Sequence, residues 1–117
     1  MTLKNEMFTV VDGDNDNVKI RLNAGHPIFA AHFPGNPIMP GVCQVQMIGE
    51  LLADRVGRPL TLQEVVSLKF SAPISPVENP ELTVGFAAVD DRDGSCKVKG
   101  EVAAPDGVKS KFSIIYH

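Results

Sequence analysis

Four prolines, Pro27, Pro34, Pro37 and Pro40, fall between residues 27 and 40. Each fixes one backbone torsion and removes one N–H donor, so no regular element is expected to run through residues 24–40. The chain must therefore cross from one part of its fold to another through a long, stiff, irregular segment. Only the stretch directly after Pro40 has a convincing helical pattern. Pro40 suits a first helical turn, and Gly57 followed by Arg58-Pro59 is a stop signal. A helix is predicted from Pro40 to Arg55 or Val56. At about 100° per residue, Val42, Val45, Ile48, Gly49, Leu52, Ala53 and Val56 form one continuous apolar stripe. Gln46 sits on a border of that stripe, and Glu50 lies one turn further along and slightly outside it.

The remainder reads as β. Residues 7–12 form a short strand, and residues 17–23 place Val18, Ile20 and Leu22 in strict alternation with polar neighbours, the period of a half-buried strand. Between them, Asp12-Gly13-Asp14-Asn15-Asp16-Asn17 is a turn rich in residues that tolerate left-handed backbone. Its spaced acids invite a calcium-loop reading. Counting from Asp12, however, Asn17 and Asn23 stand where an EF-hand needs glycine and glutamate. Residues 62–72, 81–89, 96–102 and 108–116 supply further strands, with Asp90-Asp91-Arg92-Asp93-Gly94 and Pro105-Asp106-Gly107 as turns. The expectation is a single α+β domain over residues 1–117, with one long helix on a mostly antiparallel five- or six-stranded sheet. One helix covers only part of a sheet face, so a self-associating edge or face is expected.

Charge and composition narrow the function classes. With 11 Lys and Arg against 14 Asp and Glu, the formal net charge is −3, the wrong sign for a generic nucleic-acid binder. No run approaches the roughly 18 apolar residues of a membrane span, and the first residues show no apolar signal core. Two cysteines without a C-x-x-C spacing provide neither a disulfide scaffold nor a four-thiolate zinc site. His26 and His117 lack metal-ligand spacing and read as a loop residue and a frayed terminus. A cytoplasmic protein with no metal or cofactor is expected.

The proline-rich segment carries His32 into the helix start. A helix N-terminus offers unpaired N–H groups and a partial positive charge, which can hold a carbonyl oxygen as negative charge develops on it. A histidine nearby, with a pKa normally near 6.5, can remove a proton beside that carbonyl. The residues thus suggest enolate formation from a thioester or related carbonyl compound. The plain alternative is that His32 only hydrogen-bonds the loop and the prolines only shape it.

His32-Phe33-Pro34-Gly35-Asn36-Pro37-Ile38-Met39-Pro40-Gly41-Val42 resembles the signature of the 3-hydroxyacyl-acyl carrier protein dehydratases, hot-dog-fold enzymes of fatty-acid synthesis. The wider likeness runs from about Asn23 to Leu52, with a weaker echo at Lys69-Phe70-Ser71-Ala72-Pro73. The resemblance implies a long central helix wrapped by an antiparallel sheet. It also implies a homodimer or multimer of dimers whose protomers pair their sheets, and active sites at the dimer interface. His32 would be the base at the α-carbon. The N–H of Gly41 would hold the thioester carbonyl, and Phe33, Pro40 and Val42 would line the substrate path. The substrate would be an acyl carrier protein or coenzyme A thioester.

The chain departs from that family at the most consequential place. The carboxylate that would protonate the departing hydroxyl belongs fourteen residues after the histidine, where this chain has Gln46. An amide donates hydrogen bonds but is not a general acid. The family glutamine four residues later is Glu50 here, so the two side-chain types are exchanged across one helical turn. Glu50 is thus a candidate substitute acid, set against the plainer reading of an exposed helix glutamate. Cys43 reads as a packing residue. Arg55, Arg58, Lys69, Arg92, Lys97 and Lys99 are candidates for contacting an acidic carrier. Three functions stand open at this point: a dehydratase, a catalytically impaired acyl-binding or heterodimer subunit, and a hot-dog thioesterase.

Overall fold

The computed structural model describes residues 2–31 and 35–117. Its strands are β1 (Phe8–Gly13), β2 (Asn17–Leu22), β3 (Leu62–Phe70), β4 (Glu81–Arg92), β5 (Ser95–Ala104) and β6 (Gly107–Tyr116); its helices are α1 (Pro27–Ala31) and α2 (Gly41–Val56). The six strands form one sheet in the order β1-β2-β4-β5-β6-β3, and every ladder is antiparallel. This is the α+β hot-dog arrangement. Both hairpin turns expected at residues 90–94 and 105–107 lie where the composition put them, although β4 extends to Arg92. In the β1–β2 turn Asp14 Oδ1 accepts the backbone N–H groups of Asp16 and Asn17, both at 2.9 Å. Those two bonds hold the Asp14 carboxyl below its ordinary range.

Helix α2 has the expected limits, but it is more deeply enclosed than one apolar stripe requires. Cys43, Gln44, Met47 and Leu51 are buried along with Val45, Ile48, Gly49 and Leu52, while Val42 is 67% exposed. Apolar side chains of this kind each contribute about 1.5–3 kcal/mol when fully buried, so the helix is a central element of the core. Val42 departs from the stripe: its side chain is exposed in the first helical turn, whereas Cys43 and Gln44 of the same turn are buried. Gly57 ends α2 in the left-handed conformation, its N–H returning to the Ala53 carbonyl at 2.9 Å.

Two expectations are corrected. A short helix, α1, occupies part of the proline-rich segment. Proline is tolerated at a first helical position, and residues 28–31 contain none, so a single turn forms between Pro27 and Pro34. The His26 Nδ1 accepts the Ile28 N–H at 3.2 Å at its start. His117 is not frayed: its N–H and carbonyl exchange two 2.8 Å bonds with Thr61, extending the β3–β6 pairing.

The seating of α2 is set by one close contact. A Cβ built on Gly49 would lie 2.7 Å from Tyr116 Cε1, and the Tyr116 hydroxyl donates to the Val45 carbonyl at 2.7 Å in a buried position. The ring therefore lies across the helix at Gly49. Burial also pushes the Tyr116 phenol well above its ordinary range. Gly49→Ala is expected to force the ring aside and destabilise the protein by about 1–3 kcal/mol, read as a lower midpoint in urea unfolding. An unchanged midpoint would show that the ring has room to move.

Candidate active site

Pro40 precedes α2 in an extended conformation (φ −62°, ψ 148°). Its carbonyl accepts the N–H groups of Cys43 and Gln44 at 3.0 and 3.1 Å. Pro40 provides no side-chain cap. The N–H groups of Gly41 and Val42 have no partner among the described residues. These are the orphan donors of the first helical turn. The incoming chain is pinned by the Met39 N–H, which donates to the Ile74 carbonyl at 2.8 Å. On the other side, Phe70 of β3 closes over the helix start: a Cβ on Gly41 would lie 2.9 Å from Phe70 Cζ. Glycine at position 41 thus serves close approach rather than an unusual torsion.

A cavity of about 400 Å³ opens at this point, lined among others by Met39, Pro40, Gly41, Gln44, Phe70 and Pro73. Its walls are mostly apolar, and it brings together Gly41 and Pro40, two of the four residues expected to contact substrate. Val42 is exposed beside it. His32, Phe33 and Pro34 lie outside the described residues, so the expected base and one expected lining residue carry no geometry.

Gln46 and Glu50 are brought together, but facing each other. Gln46 Nε2 donates to Glu50 Oε2 at 2.9 Å. The same carboxylate accepts the Leu3 N–H at 2.8 and 3.1 Å and the Lys4 N–H at 2.8 Å. Glu50 is half-buried rather than an exposed helix glutamate, and it ties residues 3 and 4 to the middle of α2. Lys4 adds an ion pair to Asp54, one turn further, at 2.5 Å. Nothing in the local pattern of residues 2–6 signals this strap, because Glu50 lies 47 residues beyond Leu3 and 46 beyond Lys4 in sequence. Sequence reading also passed over Gln44, which is buried in the cavity wall with its Oε1 accepting the Ser110 hydroxyl at 2.9 Å.

The remaining candidates sort by environment. Cys43 is buried, and burial pushes its thiol up, the state of an inert packing residue rather than a nucleophile. Of the basic side chains, Arg55 bonds the Asn15 carbonyl and Asp16, Arg58 pairs with Asp91, and Arg92 pairs with Asp90. Lys69, Lys97 and Lys99 have no ion-pair partner among the described residues.

Comparison with known proteins decides the family. The family model described as ApeI-like, ApeI dehydratase, matches residues 9–104. The chain belongs to the ApeI-like dehydratase family. Among curated proteins it is 35% identical over 94 residues to a 3-hydroxyacyl-[acyl-carrier-protein] dehydratase FabZ of Acetivibrio thermocellus, covering 71% of this chain and 64% of that protein. It is 34% identical over 108 residues to a FabZ of Brucella melitensis biotype 2, covering 85% and 67%. Among solved structures it is similar to the dehydratase heterocomplex ApeI:P from Xenorhabdus doucetiae, with TM-score 0.60, 18% identity and 91% of each chain covered. A thioesterase from Haemophilus influenzae gives TM-score 0.65 at 8% identity, over 95% of this chain and 78% of that one. At such identities the structural likeness speaks for the hot-dog fold, which hosts more than one chemistry. Among the described residues no helix is long and apolar enough to cross a membrane.

Glu50→Ala removes the acceptor for the Leu3 and Lys4 N–H groups. It is expected to cost about 1–3 kcal/mol and to speed amide hydrogen exchange at Leu3 and Lys4 above all other sites. Unchanged exchange at these two amides would show that the strap is held by packing alone.

Proposed function

We propose that this chain is a dehydratase that interconverts 3-hydroxyacyl and trans-2-enoyl thioesters carried on an acyl carrier protein. The observation that carries this reading is the match of the dehydratase family over residues 9–104. That span includes His32, Gly41 and the helix start with its unpartnered N–H groups. In the proposed reaction the thioester carbonyl lies against the Gly41 N–H. His32 takes the proton from the α-carbon, and the resulting enolate charge falls on the carbonyl oxygen, where the helix start stabilises it. The C–O bond at the β-carbon then breaks as the enolate collapses, and the leaving hydroxide takes the proton held by His32, which departs in water and returns His32 to its neutral form. In the reverse direction His32 returns the proton to the α-carbon.

The protein is proposed to work in the cytoplasm as a homodimer or multimer of dimers. Support comes from β3, which lies at one end of the sheet and exposes Leu62, Val65, Val66 and Phe70. An apolar edge strand of this kind is one that proteins ordinarily cover. Lys69, Lys97 and Lys99, free of ion pairs among the described residues, are the basic groups available to an acidic carrier.

A second reading is favoured by one specific contact. Gln46 occupies the family's acid position, and its amide is spent on Glu50, while Glu50 is itself committed to the N-terminal strap. Among the described residues, a site built this way offers the leaving hydroxyl no uncommitted carboxylic acid. It would be completed by a carboxylate from a different subunit, making this chain one half of a heterodimer. The similar ApeI:P structure is itself a heterocomplex.

The purified chain is expected to hydrate a crotonyl thioester, and His32→Ala to lower that rate by about 10²–10⁴-fold. Retained activity in His32→Ala would remove the proposed base. Gln46→Glu separates the two readings. A large gain in rate identifies a chain that depends on a partner's acid, whereas robust wild-type activity with no gain identifies a self-sufficient site. Release of free thiol without an enoyl product would instead mark a thioesterase.

A further inference from the structure

The cavity at the start of α2 contains a polar side chain that the dehydratase reading leaves without a task. Gln44 is 2% exposed, yet it lines the cavity. Its Oε1 accepts the Ser110 Oγ–H at 2.9 Å, and among the described residues Ser110 is the only hydrogen-bond partner of its side chain. No described buried side-chain nitrogen or oxygen is sealed from solvent without a partner. The Gln44 Nε2 is therefore not sealed from solvent, and the cavity is the space that Gln44 borders.

An amide NH₂ donates two hydrogen bonds and accepts none. With the Ser110 hydroxyl on Oε1, the NH₂ end has no partner among the described residues and is left for an acceptor. Its position suits a particular acceptor. Gln44 comes three residues after Gly41, so the two share a helix face, and helical side chains lean toward the N-terminus. The amide thus overlies the turn that begins at Gly41, against which the Phe70 ring packs. The surrounding Met39, Pro40, Phe70 and Pro73 walls suit a hydrocarbon chain and offer a donor little else to bond. An unpaired donor in such surroundings is costly until an oxygen arrives.

We propose that Gln44 is a substrate-binding residue whose Nε2 donates to the carbonyl oxygen of the acyl thioester, as a second donor beside the Gly41 N–H. This rests on the thioester reading above. Ser110 is a positioning residue, acting only through the Gln44 amide.

The test uses two non-reacting ligands that differ at the acceptor: S-butyryl-pantetheine, which has the thioester carbonyl, and S-butyl-pantetheine, which has a methylene in its place. Binding of each to the full chain is measured by calorimetry. Wild-type protein is expected to prefer the thioester. Gln44→Met, of similar volume but without a donor, is expected to reduce that preference about threefold to tenfold while leaving the thioether dissociation constant unchanged. Ser110→Ala, which leaves the helix intact, is expected to move the preference in the same direction by less. Equal weakening of both ligands in Gln44→Met, or an undiminished preference in both variants, overturns the role of Gln44 alone. Wild-type protein that binds neither ligand overturns the thioester reading and the role of Gln44 with it.

Discussion

The ring of Tyr116 lying across Gly49, with its hydroxyl on the Val45 carbonyl, sets where α2 sits against the sheet. A helix packed by side chains alone can slide or rotate by a fraction of a turn at modest cost. A ring seated on a glycine, with a buried hydrogen bond to a named carbonyl, removes that freedom. The consequences run in both directions along the helix. Two turns toward the N-terminus, Gly41 meets Phe70 and borders the cavity. Around Glu50, immediately after Gly49, the carboxylate meets the backbone of residues 3 and 4.

Three polar side chains on α2 then divide between different surroundings. Gln44 is anchored to the sheet through Ser110 and borders the cavity. Gln46 and Glu50 face each other across one turn, and Glu50 carries the N-terminal strap. The exchange of amide and carboxylate relative to the dehydratase pattern therefore has a structural correlate. A carboxylate can only accept, so at position 50 it is suited to backbone N–H donors; an amide at position 46 can supply one more donor to it. The amide at position 46 and the carboxylate at position 50 form a matched pair.

Much of the scaffold was legible in local pattern. The limits of α2 came from Pro40 and Gly57, and the strands from period-two alternation and from the Asp-Gly turns, because these signals act within a few residues. The turn of helix after Pro27 was missed because proline at a first helical position permits what proline inside a helix forbids. Val42 fits the apolar stripe by angle alone, yet Cys43 and Gln44 beside it are the first-turn residues that the fold buries, because periodicity does not say which neighbours the sheet brings to each position. Glu50 was read as a choice between an exposed residue and an acid because its true partners, Leu3 and Lys4, are joined to it only by folding. Gln44 carried no signal at all: a glutamine beside a valine and a cysteine looks like any helix residue until the sheet places Ser110 opposite it.

The amino-acid sequence by itself determined α2, the six strands, their order along the chain and the family, since periodicity, turn chemistry and the motif from His32 to Val42 are all local properties. It also determined that position 46 holds an amide, and so excluded a carboxylic acid there. Tertiary structure alone decided what the polar groups of α2 face. Hydrogen-bond partners are chosen by distance in space, and Gln44 with Ser110, Tyr116 with Val45 and Glu50 with Leu3 are brought within reach only when the helix is seated in the sheet.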